Sequence, residues 1–304
     1  MKKLLIVILP AMILFLTACN NREQLSDTDN KADDKTTTSA EIETKTETNL
    51  ENFTYTENET KIEVNTEDFT YTENDDGEII ITWYKGKEKD VVFPASIDGK
   101  PVVQIGYVNE DIQSVFIPGV EKIGGWAFAN CKKLNEITIS EGVKEIDSCA
   151  FLRCESLTDI TIPNSVEVIG SMAFSECGIS EITIPGSVKI IRSGAFADCK
   201  NLTGLNFSEG VEKIDSQAFS ECEKLTELTF PDSVKEIGLD AFRNCGIKTV
   251  TLPDGLTVFK GGRTFTECDV VYKGETYSPE LYGELYKAIN GEYYMPPSGI
   301  PPAA

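Results

Sequence analysis

The sequence predicts a β-rich solenoid: a stack of coils of about 23 residues joined by short helical or 3-10 turns, with one helix closing the C-terminal end. Three observations predict it. Phe128, Phe151, Phe174, Phe196, Phe219, Phe242 and Phe265 recur at spacings of 23, 23, 22, 23, 23 and 23 residues. Cys131, Cys154, Cys177, Cys199, Cys222, Cys245 and Cys268 follow them, each three residues later. Between these marks lie alternating segments such as "LTELTF", which puts Leu228 and Phe230 on one face of a half-buried strand and Glu227 and Thr229 on the other. Some 23 residues are too few for a closed core, but a coil of that length can bury its apolar side against its neighbours.

The chain opens with "MKKLLIVILPAMILFLTAC", two lysines before an apolar run from Leu4 to Leu16, then small residues and a cysteine. This is the layout of a signal peptide, expected over residues 1–18. A transmembrane anchor would need roughly 20 apolar residues, and this shorter run contains Pro10. The ending Leu16-Thr17-Ala18-Cys19 resembles the bacterial lipobox, which implies a lipid on Cys19 and a place on the outer face of the cytoplasmic membrane. Two acyl chains at about 0.8 kcal/mol per buried methylene hold a protein at a membrane stably.

Residues 19–77 are expected to form a disordered, acidic, Thr-rich tether. From Asn20 to Gly77 there are 17 acidic and 5 basic residues and few apolar ones, too few to offset the entropy of ordering. "NFTYTEN" at 52–58 returns as "DFTYTEN" at 68–74, which fits a pair of short strands, an epitope or a tandem duplication within a linker. Residues 78–112 are expected to hold an N-terminal cap and first coil, and 113–274 the repeat array.

Within a coil, proline ends the strand at Pro118, Pro163, Pro185, Pro231 and Pro253, since it lacks the N–H a continuing ladder needs. "SVKEIG" then turns Val234 and Ile237 inward, and "AFRNC" brings Ala241, Phe242 and Cys245 to the same interior. Two coils read "CGI", at Cys177 and Cys245, one residue shorter than "CKKL", "CESL", "CKNL" and "CEKL", so the deletions fall in a loop. Residues 275–291 are expected to form a capping helix, with Ser278 as N-cap, Pro279 at the first position, Gly291 as the stop, and Leu281, Tyr282, Leu285, Tyr286 and Ile289 as its apolar stripe. Residues 292–304 read as a flexible tail.

Repeats of the form "LTELTFPDSVKEIGLDAFRNC" resemble the BspA-like class of bacterial leucine-rich repeats, over roughly Glu78 to Cys268. The resemblance implies a leucine-rich repeat solenoid on a secreted or surface protein that binds other macromolecules, often in adhesion, and it brings no catalytic residues. "YVNEDI" stands where the first coil should carry Ala-Phe-x-x-Cys, as a capping coil with a polar end would.

Composition narrows the function further. The formal charge is -22, with 28 basic residues against 50 acidic ones, and no basic run suits nucleic acid. The absence of histidine removes Ser-His-Asp triads, Cys-His dyads and His-ligated zinc. One cysteine per coil is not zinc-ligand spacing, and parallel in-register side chains project side by side rather than toward each other, so reduced, buried thiols acting as small apolar spacers are expected. Cys149 stands outside the ladder, in the place held in other coils by Trp126, Met172, Gly194, Gln217, Asp240 and Arg263, and is expected to be more exposed. No cofactor, metal or catalytic site is expected, and the chain is read as a non-enzymatic monomer.

The candidate binding face is the outward side of the strands. With Ile137, Ile160, Ile182 and Leu228 facing in, Thr138, Thr161, Thr183, Thr229 and Thr251 form an outward column beside Glu136, Asp159, Glu181 and Glu227. Threonine suits exposed strands and acids keep a sheet soluble, which is one explanation. The other is a ligand-binding surface of the kind solenoids offer. Its expected partner is a protein or matrix ligand, with surface carbohydrate as the alternative.

Overall fold

The computed structural model describes residues 4–8 and 61–291. They fall into two compact units, one within Leu4–Asn65 and one from Thr66 onward. In the first, Leu4–Ile8 runs antiparallel to Lys61–Asn65. Most of the expected leader, Cys19, the first copy of the duplicated heptapeptide and the tail beyond Gly291 lie outside the described residues.

The second unit is a solenoid of about eight turns, each about 23 residues long. Each repeat adds a two-residue strand to a parallel ladder within an eleven-stranded sheet, here called the long sheet. Lys122–Ile123, Glu145–Ile146, Val168–Ile169, Ile190–Ile191, Lys213–Ile214, Glu236–Ile237 and Val258–Phe259 pair in strict register. Register is fixed because a one-residue slip would turn every inward isoleucine to solvent; Ile123, Ile146, Ile169, Ile191, Ile214 and Ile237 are all fully buried.

Most segments of the "LTELTF" type lie on another side of the coil as shorter parallel ladders, while 157–162 forms no strand and "LTELTF" itself, expected as a strand, contributes only the bridge from Thr229 to Thr251. Ser114–Ile117 pairs with Asp90–Val92 and Glu136–Ile139, Glu181–Ile184 pairs with Gly204–Phe207, and Thr249–Thr251 pairs with Asp269–Tyr272. A third side is formed by the Ala-Phe turns, where the N–H of Phe128, Phe151, Phe174 and Phe196 each donates at 2.7 Å to the carbonyl of the alanine just before the next coil's phenylalanine: Ala150, Ala173, Ala195 and Ala218.

The interior carries two continuous columns. The phenyl rings from Phe128 to Phe265 stack nearly parallel at 5.0–5.6 Å between centroids. Beside them run the cysteines, all free from Cys131 to Cys268. Their role exceeds that of apolar spacers. The thiols of Cys154, Cys177, Cys199, Cys222 and Cys245 donate to the carbonyls of Phe128, Phe151, Phe174, Phe196 and Phe219 at 3.0–3.3 Å, so each binds the coil before it. Burial pushes the Cys131 thiol up to about 12 and that of Cys268 to about 11, and holds Cys177 and Cys199 well above the ordinary value. These thiols stay protonated at neutral pH and are poor nucleophiles.

Four expectations are corrected. Cys149 is buried, 7% exposed, against Ala129 and Leu152. It is a small side chain between the larger Trp126 and Met172 of the adjoining coils, which stand out at 53% and 42%.

The boundary expected at Gly77 lies inside a hairpin. Phe69–Glu73 pairs antiparallel with Ile79–Tyr84, so the second copy of the heptapeptide is a strand. Its alternation decides this: Phe69 is buried against Tyr84 and Phe93 at 5.1 and 5.4 Å, and Phe93 meets Phe128 edge-on at 6.0 Å. An aromatic cluster therefore seals the N-terminal end of the stack. In the first coil Val108 replaces the phenylalanine, its N–H donating to Ala127 O at 2.9 Å, and both Val108 and Ile112 are fully buried.

At the other end the expected Ser278 cap is absent. Pro279–Leu281 forms a 3-10 turn whose preceding Ser278 makes no side-chain cap, and the α-helix spans Tyr282–Asn290. Only part of the expected stripe is used: Leu285 and Tyr286 are buried, Tyr286 stacking on Phe259 at 5.2 Å, while Leu281 is exposed.

Candidate functional site

Every residue of the expected face is exposed: Glu136, Thr138, Asp159, Thr161, Glu181, Thr183, Glu227, Thr229 and Thr251. Their inward neighbours Ile160, Ile182 and Leu228 are buried, while Ile137 is half-buried. Glu136, Thr138, Glu181, Thr183 and Thr251 lie on strands, Thr229 on a single bridge to Thr251, and Asp159, Thr161 and Glu227 outside any strand; alternation with neighbours committed to the core holds their outward directions.

Register fixes what lies beside what. Glu136 and Thr138 stand next to Ser114 and Phe116, Glu181 and Thr183 next to Gly204 and Asn206, and Thr251 between Thr229 and Val271. The coils of Glu136, Asp159 and Glu181 are consecutive and form one continuous patch. The coil of Gly204 and Asn206 separates it from Glu227, Thr229 and Thr251. A side chain at Gly204 would meet Glu181 Cγ at 3.0 Å, so Glu181 reaches across the space that the glycine leaves open.

Gly204 and Asn206 belong to the face and were not among the residues expected there. Aligning "NLTGLNF" with "KLTELTF" would have placed both.

The electrostatics of this face differ from those of the long sheet. Among the described residues Glu136, Asp159, Glu181 and Glu227 make no ion pair or hydrogen bond through their carboxylates, and the hydroxyls of the five threonines have no protein partner. The lysines in the adjoining loops are engaged elsewhere, Lys133 with Asp111 at 2.7 Å and Lys132 with Glu155 at 2.6 Å. Neighbouring carboxylates one strand spacing apart, about 4.8 Å, repel by about 1 kcal/mol in water before salt screening.

On the long sheet the inner charges are paired. Lys122 bridges Glu145 and Asp147 at 3.1 and 2.8 Å, and Lys213 bridges Asp215 and Glu236 at 3.1 and 3.4 Å. Burial alone would raise Asp147 and Glu236, but the hydrogen bonds and charge of Lys122 and Lys260 outweigh it and hold both below the usual carboxylate range.

Two further surface features were not foreseen. Trp83 and Trp126, the chain's only tryptophans, are 45% and 53% exposed, and Trp83 lies 4.9 Å from the ring of Tyr107. Among the described residues no cluster of three metal-ligating side chains occurs, and no helix is long and apolar enough to cross a membrane.

The chain is similar to solved bacterial proteins of the same architecture. A leucine-rich repeat protein from Bacteroides ovatus matches at 29% identity and a TM-score of 0.52, over 67% of this chain and 62% of that one. The T. pallidum leucine rich repeat protein matches at 38% identity and a TM-score of 0.56, over 59% of this chain and 87% of that one. The chain thus spans about three fifths of the length of the first relative. No curated protein matches it. Residues 106–167 and 144–271, together more than half of the sequence, match the repeat described as BspA type leucine rich repeat region, in six copies. With the coil period, the phenylalanine and cysteine columns and the paired sheets in place, the chain belongs to the BspA type leucine rich repeat family.

Proposed function

We propose that this is a lipid-anchored bacterial cell-surface protein whose solenoid binds a protein or matrix ligand, acting by recognition rather than catalysis. The family relationship supports an interaction role. The observation that carries the choice of face is the row of carboxylates at Glu136, Asp159 and Glu181, exposed on consecutive coils without a cation of their own. A fold gains nothing from like charges held side by side, so this row supports a ligand that brings basic or hydrogen-bond-donating groups to it. The threonine hydroxyls beside it supply further donors and acceptors.

The leader supports export, and Cys19 is the proposed site of lipidation, with the acidic segment after it lifting the array from the membrane.

The test is replacement of Thr161, Glu181 and Thr183 by lysine, followed by measurement of cell-surface and matrix binding by residues 66–304. Unchanged binding rules this face out. A glycan screen on the same protein separates a protein ligand from carbohydrate.

A further inference from the structure

The long sheet presents its outward side in two columns, one residue of each per coil. The outer column reads Glu121, Lys144, Glu167, Lys189, Glu212, Lys235, all exposed and strictly alternating in sign over six coils. The inner column reads Lys122, Glu145, Val168, Ile190, Lys213, Glu236, all half-buried. These two columns are electrically balanced on a chain of formal charge -22.

Alternation serves the chain itself where each charge pairs with the next coil's. The inner column does this, Lys122 pairing with Glu145 and Lys213 with Glu236, but the outer column largely does not. In the outer column only Lys144 closes on its neighbour Glu121, at 3.3 Å. Lys189 turns to the carbonyls of Gly186 and Gly210, and Lys235 to that of Asp232. Glu167 and Glu212 have no side-chain partner among the described residues.

The pattern has a second property. Reversed end to end, each column is its own complement. Glu121 then opposes Lys235, Lys144 opposes Glu212, and Glu167 opposes Lys189. In the inner column Lys122 opposes Glu236, Glu145 opposes Lys213, and Val168 opposes Ile190. One rotation achieves all of these: a two-fold axis parallel to the strands, passing between the coil of Val168 and that of Ile190, which reverses coil order and leaves each column facing its own copy. Such an isologous contact is the usual form of a homodimer. The next coils outward are uncharged on both sides, Val103 and Gln104 opposing Thr257 and Val258. Asp147 and Asp215 also oppose each other, but each is already bound to its own lysine, Lys122 and Lys213.

We propose that the long sheet is a self-complementary interface through which two copies of this chain associate face to face and antiparallel. Val168 and Ile190 form its dry centre, and alternating charges fix its register. Six coils at about 4.8 Å make a patch about 29 Å long, so the interface is at the small end and the dimer dissociates on dilution. Two copies anchored to one membrane would meet at a raised effective concentration. The Thr/acid strand face is not used, so ligand binding there is independent of this contact.

The test is a charge exchange on the chain from Asn20 to Ala304, followed by sedimentation over a concentration series. The wild type is expected to dimerise reversibly. Lys144→Glu alone places like charges opposite Glu212 twice in each dimer, and Glu212→Lys alone does the same opposite Lys144; each should weaken association at least tenfold. An equimolar mixture of the two variants restores both contacts and should recover the dimer as a heterodimer, as should the double variant with itself. Recovery on mixing also shows that neither variant failed by misfolding. A wild type that stays monomeric up to about 100 μM, single variants that dimerise like the wild type, or a mixture that does not recover would each overturn the proposal.

Discussion

Asn290, the last residue of the capping helix, serves as the strand that the long sheet lacks at its end. Its Nδ2 donates to Phe259 O at 2.9 Å and its Oδ1 accepts from Phe259 N–H at 3.0 Å, so the final strand's backbone is satisfied by one side-chain amide. Asn290→Ala would leave both groups without their partner, at a cost of about 1–3 kcal/mol. Thermal unfolding should move down by a few degrees. Asn290→Asp keeps the acceptor but not the donor and should fall between the two; equal midpoints for all three would show that the cap contributes nothing.

Truncation offers a second check, at the other end. A chain beginning at Glu78, where composition alone puts the start of the array, lacks the strand Phe69–Glu73 and uncovers Tyr84 and Phe93. Removing the buried Phe69 ring alone is worth about 3–5 kcal/mol. In urea the chain beginning at Thr66 should therefore unfold at a clearly higher midpoint than the chain beginning at Glu78.

Phe174 sits at the middle of the ring stack, 5.1 Å from both Phe151 and Phe196, and is fully buried. Phe174→Ala should cost about 3–5 kcal/mol, and Phe174→Leu less because more of the volume remains. Circular dichroism during denaturation measures both.

The thiol column makes stability fall at alkaline pH. A thiol whose pKa is raised by folding contributes its full stabilisation below the unfolded value of 9.0, and loses it as pH rises toward the folded value, about 11 for Cys268 and about 12 for Cys131. Each such group contributes a slope of about 1.4 kcal/mol per pH unit inside that window. Urea midpoints should hold steady from pH 7 to 9 and drop steeply above it. In the same native protein a thiol reagent should react slowly with most cysteines at neutral pH; rapid reaction would contradict their burial.

Much of the array was legible because its code is local. Phenylalanine and cysteine periods, proline stops and strand alternation each have a physical cause within one coil, so the coil parse and the outward set at Glu136, Thr138, Asp159 and Thr161 could be read directly. What was not legible depends on neighbours. Cys149 is covered in part by Ala129 of the coil before it, Phe69 finds Tyr84 and Phe93 only once the hairpin closes, and Asn290 is 31 residues from the strand it caps. The interruption of the face at Gly204 and Asn206 was present in the repeat, but the departure from Glu and Thr hid it.

The two shortened coils carry a consequence for how the chain finds its alignment. Gly178 and Gly246 follow Cys177 and Cys245 where the loop is one residue shorter, and a Cβ there would lie 2.3 Å from Glu155 O and 2.7 Å from Glu223 O. Only glycine lets the backbone pass so close. Stacks of near-identical rungs are prone to docking one rung out of step. A coil displaced by one place would bring a full-length loop, with a side chain at that position, against the carbonyl that the glycine was clearing. The short loops thus act as index marks, telling otherwise interchangeable rungs which neighbour is their own.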